Sequence, residues 1–136
     1  MGFGCDNIGT RIGCAARMAS RNYTDLIAWQ KAMNVAEAVY LATGTLPVEE
    51  KFGLCAQMRR AAISIPANIA EGEGRRTPGE FGNQLSVAHG SVRELETHVM
   101  LAERLKLMHA DTTRDLLMQL GEVGRLVTGL LNSLNR

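Results

Sequence analysis

From Leu26 the apolar residues recur at steps of three and four: Leu26, Trp29, Met33, Ala36, Tyr40. Those steps trace one face of an α-helix. Thr24 or Asp25 is placed to cap its start and Gly44 to end it, so a helix is expected over 24–43. A short loop, TGTLP, follows. The second helix is expected over 47–72. Pro47 suits its first position, and Glu49 and Glu50 fall in the first turn, where the helix dipole favours anions. Its face is Leu54, Met58, Ala62, Ile65 and Ile69, and Gly72 and Gly74 read as its stop.

The run TPGE opens a third helix, expected over 78–108. Thr77 is the N-cap, Pro78 the first helical residue and Glu80 the reciprocal partner of a capping box. Phe81, Leu85, Ala88, Val92, Leu95, Val99 and Ala102 keep the alternation of four and three without a break. So regular a seam predicts a long helix packed at a shallow angle. Gly82, Ser86 and Gly90 are poor helix formers, which predicts close approach of another backbone there. A fourth helix is expected over 112–134, capped by Asp111 or Thr112. It carries two overlapping stripes. One is Leu116, Leu120, Val123, Val127, Leu130, Leu134; the other adds Leu117, Gly124 and Leu131. Four helices joined by short loops predict an all-α, up-down-up-down four-helix bundle. The width of the last apolar face predicts that more than one surface covers it, hence an oligomer.

Composition agrees. One domain fits 136 residues. Apolar residues make up 46% but aromatics only 4%, which favours helices over a β-sandwich. Of the 15 basic and 14 acidic side chains, residues 1–22 hold Arg11, Arg17 and Arg21 against Asp6. That leaves 12 basic and 13 acidic groups, a charge of −1, on residues 23–136. A body of that charge has no global attraction for a phosphate backbone. The glycine-rich first 22 residues lack periodicity and read as a flexible extension of a bundle domain over 23–136, with Met18 a candidate start. Cys5, Cys14 and Cys55 have no metal spacing and read as reduced thiols of a cytoplasmic protein. No apolar run reaches the roughly 18 residues of a membrane span.

Candidate chemistry is sparse. A di-iron bundle needs Glu-x-x-His on two helices, and His89, His98 and His109 lack the acid three positions before them. Gly74 and Gly79 share the gap of a phosphate loop, but Glu80 and Phe81 stand where Lys and Ser or Thr are required. His89 and Ser91 lie two apart on a helix and face away from each other. No cofactor, metal or catalytic group is expected, and the protein reads as a non-enzyme.

One stretch stands out: RRAAISIPANIAEGEGRR, residues 59–76. Pro66 lies inside a helix, where it removes a hydrogen bond and crowds the carbonyl of Ala62, at about 3 kcal/mol. Ser64 and Asn68 are expected to supply the missing polar contacts at a bend. Asn68, Glu71 and Arg75 form a polar stripe beside the apolar one. Two readings stay open: a structural device, or a ligand or partner surface.

The segments DLIAWQKAMNVAEAVY, FGLCAQMRRAAISIPANIAEGEGRRTPGEF and VAHGSVRELETHVMLAERL resemble the four-helix bundle family of 23S rRNA intervening-sequence proteins. The same superfamily includes the accessory variability protein of diversity-generating retroelements. The resemblance covers about residues 23–136. Gln57, Arg60, Ser64, Pro66, Asn68, Glu71 and Gly72 match its pattern on helix two; Gly90, Ser91 and Glu94 match on helix three. It implies a homopentamer without catalytic activity. For the retroelement relatives it implies a basic surface that binds nucleic acid and a reverse transcriptase; the slightly acidic body here departs from that. Two functions follow as expectations. One is a scaffold or accessory protein to an RNA- or DNA-handling partner. The other is direct nucleic-acid binding through Arg59, Arg60, Arg75 and Arg76, which face only Glu71 and Glu73 within their own stretch.

Overall fold

The computed structural model of the chain describes residues 22–135. Four α-helices account for most of them: α1 (Ile27–Thr43), α2 (Leu54–Glu73), α3 (Pro78–Arg104) and α4 (Ala110–Leu134). Short 3-10 turns, Tyr23–Asp25 and Val48–Glu50, precede α1 and α2. No strand occurs among the described residues. Each helix packs against the next in sequence, and α4 closes back on α1. The result is a four-helix bundle with its core at the shared centre. The flexible extension expected over residues 1–22 lies outside the described residues, except for Asn22.

The core follows the sequence stripes on three helices. Met58, Ala62, Ile65 and Ile69 of α2 are fully buried. So are Leu85, Ala88, Val92, Leu95, Val99 and Ala102 of α3 and Leu120, Val123 and Val127 of α4. Each large side chain among them stabilises the fold by about 1.5–3 kcal/mol on burial. On α1 the phase differs. The buried face is Ala28, Ala32, Val35 and Val39, whereas Met33 and Tyr40 of the expected stripe are 45% and 42% exposed. Apolar residues occupy most positions of this helix, so steps of three and four fit two phases. The bundle selects the narrower side chains, which let α2 and α4 come close.

Several boundaries shift for local reasons. The first helix starts at Ile27, not at residue 24, because Asn22 closes a separate turn. Its Oδ1 accepts from the Thr24 N–H at 2.9 Å, and Asp25 reaches back to the Asn22 N–H at 3.4 Å. Neither Thr24 nor Asp25 caps α1 itself, whose N-cap is Leu26 without a side-chain bond. Trp29 packs edge-on against Tyr23 with ring centroids 5.5 Å apart, holding the turn to the helix. The second helix begins at Leu54, well past Pro47. Pro47 opens the 3-10 turn, and Glu50 accepts from the Leu54 N–H at 3.3 Å.

At α3, Thr77 caps as expected, accepting from the Glu80 N–H at 3.1 Å. The return arm differs: Glu80 accepts from the N–H of Arg76, one residue before the cap, at 3.2 Å. The helix ends at Arg104 rather than 108. Lys106 turns left-handed at φ 62°, while its own N–H bonds Glu103 O and that of Leu107 bonds Ala102 O, both at 2.9 Å. That is a Schellman stop built on lysine instead of glycine, so no glycine marks it in the sequence. The cap of α4 is His109, whose Nδ1 accepts from the Asp111 N–H at 3.4 Å; Asp111 and Thr112 lie inside the helix.

The small residues also change roles. Gly72 does not stop α2; it lies buried within its last turn. A Cβ there would meet Phe81 Cδ1 at 2.8 Å and Gln84 Cβ at 2.9 Å, so α2 and α3 meet here with no room for a side chain. The close contact expected at Gly82 and Gly90 is absent within the described chain. A Cβ on Gly82 would meet Leu131 at an ordinary 3.9 Å, and one on Gly90 would meet nothing within 4 Å.

Candidate functional site

The stretch 59–76 spans the second half of α2 and the turn into α3. The helix runs through Pro66 without a break, and Pro66 is buried. Beside it lies a polar bridge. Asn68 Nδ2 donates to the carbonyl of Ser64 at 2.8 Å and to Ser64 Oγ at 2.9 Å. Ser64 Oγ lies 2.8 Å from Ser91 Oγ on α3. Ser91 is buried, and Ser64 and Asn68 are half-buried. Three of the expected residues therefore meet across the α2–α3 seam and satisfy one another. The expectation that Ser64 and Asn68 replace the bond lost at Pro66 needs correcting. The Asn68 amide reaches the carbonyl of Ser64, not that of Ala62, the one Pro66 leaves without its N–H. The Asn68 side chain is long enough only for the carbonyl four residues back on its own face.

The four arginines divide into two kinds. Arg59 is half-buried and turned toward α1. Its Nε donates to Thr43 Oγ1 at 2.8 Å, its Nη2 donates to the Tyr40 carbonyl at 3.3 Å, and its guanidinium lies 4.5 Å from the Tyr40 ring centroid. The last turn of α1 has no basic residue of its own. Arg59 brings a cation to that negative dipole end from the neighbouring helix. Arg75 donates to Glu71 at 2.7 Å along the helix edge. Arg60 and Arg76 are exposed and make no ion pair among the described residues.

Gln57 is exposed on the solvent side of α2, away from the bridge. Glu94 pairs with His98 at 3.2 Å rather than with any of the four arginines. The residues that sequence reasoning missed are Thr43 and Tyr40. A buried threonine ending a helix without a basic last turn is the available signal, but nothing in the sequence says which arginine answers it.

The bridge offers hydroxyls and an amide already committed to one another. Ser91 bonds Ser64 rather than a histidine. Among the described residues no group of three or more His, Cys, Asp or Glu side chains is gathered to hold a metal. No helix among them is long and apolar enough to cross a membrane.

Four packed helices with a serine–asparagine bridge on one seam define an all-α bundle protein. Over residues 24–129 the chain matches the family described as 23S rRNA-intervening sequence protein, and it belongs to that family. Among solved structures it is similar to a protein of unknown function from the S23 ribosomal protein family of Bacteroides thetaiotaomicron. The TM-score is 0.73 at 24% identity, covering 77% of this chain and 98% of that one. At that identity the likeness speaks for the fold. No curated protein matches the chain.

Proposed function

We propose that this protein is a non-enzymatic, self-assembling bundle with its helices running up-down-up-down, acting as a scaffold or accessory to an RNA- or DNA-handling partner. The observation that carries the reading is the exposure of large apolar side chains around the α1–α2 connection. Leu41, Val48 and Phe52 are 76%, 79% and 86% exposed within a short stretch of chain. Single exposed apolar residues are ordinary; three so exposed between positions 41 and 52 fit a contact surface. A ring, with five copies as the family resemblance implies, covers such a surface on every protomer. The family is named for an intervening sequence of 23S rRNA, and that association supports a partner that handles RNA. The internal engagement of Arg59 and Arg75 favours a scaffold over direct phosphate binding.

The test is the mass in solution. Light scattering at micromolar concentration is expected to give a multiple of 14.8 kDa, falling on Phe52→Ser with Leu41→Ser. A monomer mass for the native chain sinks the reading. Arg60 and Arg76 favour a second reading, in which an arginine-lined face of the oligomer binds nucleic acid directly. Steeply salt-dependent RNA or DNA binding, lost in Arg60→Gln with Arg76→Gln, would replace the scaffold with that binder.

A further inference from the structure

Helix α4 contains glycines that packing within the chain does not require. A Cβ on Gly124 would touch Val92 at an ordinary 3.8 Å, and one on Gly129 would meet nothing within 4 Å. Glycine in a helix interior is destabilising relative to alanine, so these positions carry a cost that the bundle core does not offset. Both border a groove of about 400 Å³ between α3 and α4. That volume lies in the range of small-ligand sites, about 300–1,000 Å³.

The charged side chains that line the groove are two arginines, Arg93 and Arg125. His89 and Arg93, one turn apart on α3, face Arg125 on α4, and Thr128 and Asn132 add hydroxyl and amide groups. No carboxylate lines it. Of the nearby acids, Glu122 is directed away, reaching Lys31 of α1 at 3.6 Å, whereas Glu96 takes one nitrogen of Arg93 at 2.8 Å and partly neutralises it. Arg125 has no ion pair among the described residues. Its Nη1 lies 3.4 Å from where a Cβ on Gly121 would be, so the guanidinium lies along its own helix beside that glycine. Concave walls of one charge concentrate the field on an anion, and planar guanidinium groups match phosphate oxygens in pairs.

We propose that the α3–α4 groove binds a phosphate ester, its phosphate held by Arg125 with Arg93 and His89 and its organic part lying over the glycine floor of α4. This goes beyond the scaffold reading and does not depend on it, since the groove is complete within one chain. The phosphate can come from a free nucleotide or from a nucleic-acid backbone.

Titration calorimetry on the full chain, with adenosine 5′-monophosphate and with a short single-stranded RNA as probes, tests it. At least one probe is expected to bind. Arg125→Gln, which removes the unpaired cation, is expected to weaken that binding at least about tenfold. Gly129→Leu fills the groove without changing charge and favours the helix, so it is expected to weaken binding similarly while circular dichroism stays unchanged. Arg104→Gln, at the end of α3 and outside the groove, is expected to leave affinity where it was. Binding of the mononucleotide assigns the site to a free ligand. Binding of RNA alone, lost in the same two variants, assigns it to a backbone phosphate. The proposal is overturned if neither probe binds, if Arg104→Gln weakens binding as much as Arg125→Gln, or if Gly129→Leu leaves binding intact. It is overturned too if Gly129→Leu instead lowers the assembly mass, which would mean that the glycines seat another copy of the chain.

Discussion

Gly72 of α2 packs directly against Phe81 of α3: a methyl group on Gly72 would lie 2.8 Å from Phe81 Cδ1. Gln84 closes the same space with its Cβ at 2.9 Å, an atom fixed to the backbone of α3 that no rotamer change can move. The glycine ties the end of α2 to the start of α3 across a turn of four residues, Gly74 to Thr77.

Gly72→Ala is therefore expected to destabilise the protein although alanine is the better helix former. The propensity gain is about 1 kcal/mol. Forcing a methyl into a filled contact costs about 1–3 kcal/mol. A lower urea midpoint than that of the native chain is the expected result, and a higher midpoint would show that α3 shifts freely.

At the polar bridge, Asn68→Ala removes the donor to both Ser64 acceptors. Ser64 Oγ keeps Ser91 as a partner, so the loss is expected at the lower end of the range for a part-buried hydrogen bond, about 1 kcal/mol. Ser64→Ala strips both Asn68 and Ser91 of a partner and is expected to cost more. Equal and negligible losses in urea unfolding would show that the bridge does not join the helices.

The two neighbouring arginines are expected to separate sharply. Arg59→Ala breaks the bond to Thr43 and the stacking on Tyr40, a loss of about 1–2 kcal/mol. Arg60→Ala, on the exposed face, is expected to stay within about 0.5 kcal/mol. Thermal unfolding of the two variants side by side checks this, and matching shifts would contradict the placement of Arg59.

Lys106 occupies a left-handed position that costs an ordinary residue roughly 1–2 kcal/mol. Lys106→Gly relieves that strain, offset in part by the freedom glycine gains in the unfolded chain. A net rise in stability of about 0.5–1 kcal/mol is expected by urea unfolding. A decrease would mean that the lysine side chain itself supports the stop.

Much of the fold was legible because burial imposes a period on the residues that face the core. The seams of α2, α3 and α4 needed no knowledge of the neighbours: Met58, Ile65, Leu95 and Val123 follow from spacing alone. Around α1 the same argument lost its grip, because apolar residues on almost every side let two phases fit. The Thr77 cap was readable, since a threonine before Pro78 has a local partner. The stop at Lys106 was not, since its cost falls on a residue type that does not announce it.

Of the candidate site, the sequence by itself determined the polar residues that could meet: Ser64 and Asn68 lie four apart on one helix face, and that spacing fixes their contact. Only the tertiary structure decided the rest. It set Ser91 opposite Ser64, turned Arg59 onto the end of α1, left Arg60 and Arg76 outside, and brought His89 and Arg93 to face Arg125. It also made Gly72 a point of contact rather than a stop. The physical reason is common to all of these. Contacts within a helix are set by a repeat of 3.6 residues that any sequence carries with it. Contacts between helices depend on how far each is rotated and how closely it is packed, and that is settled only when all four bury their apolar faces together.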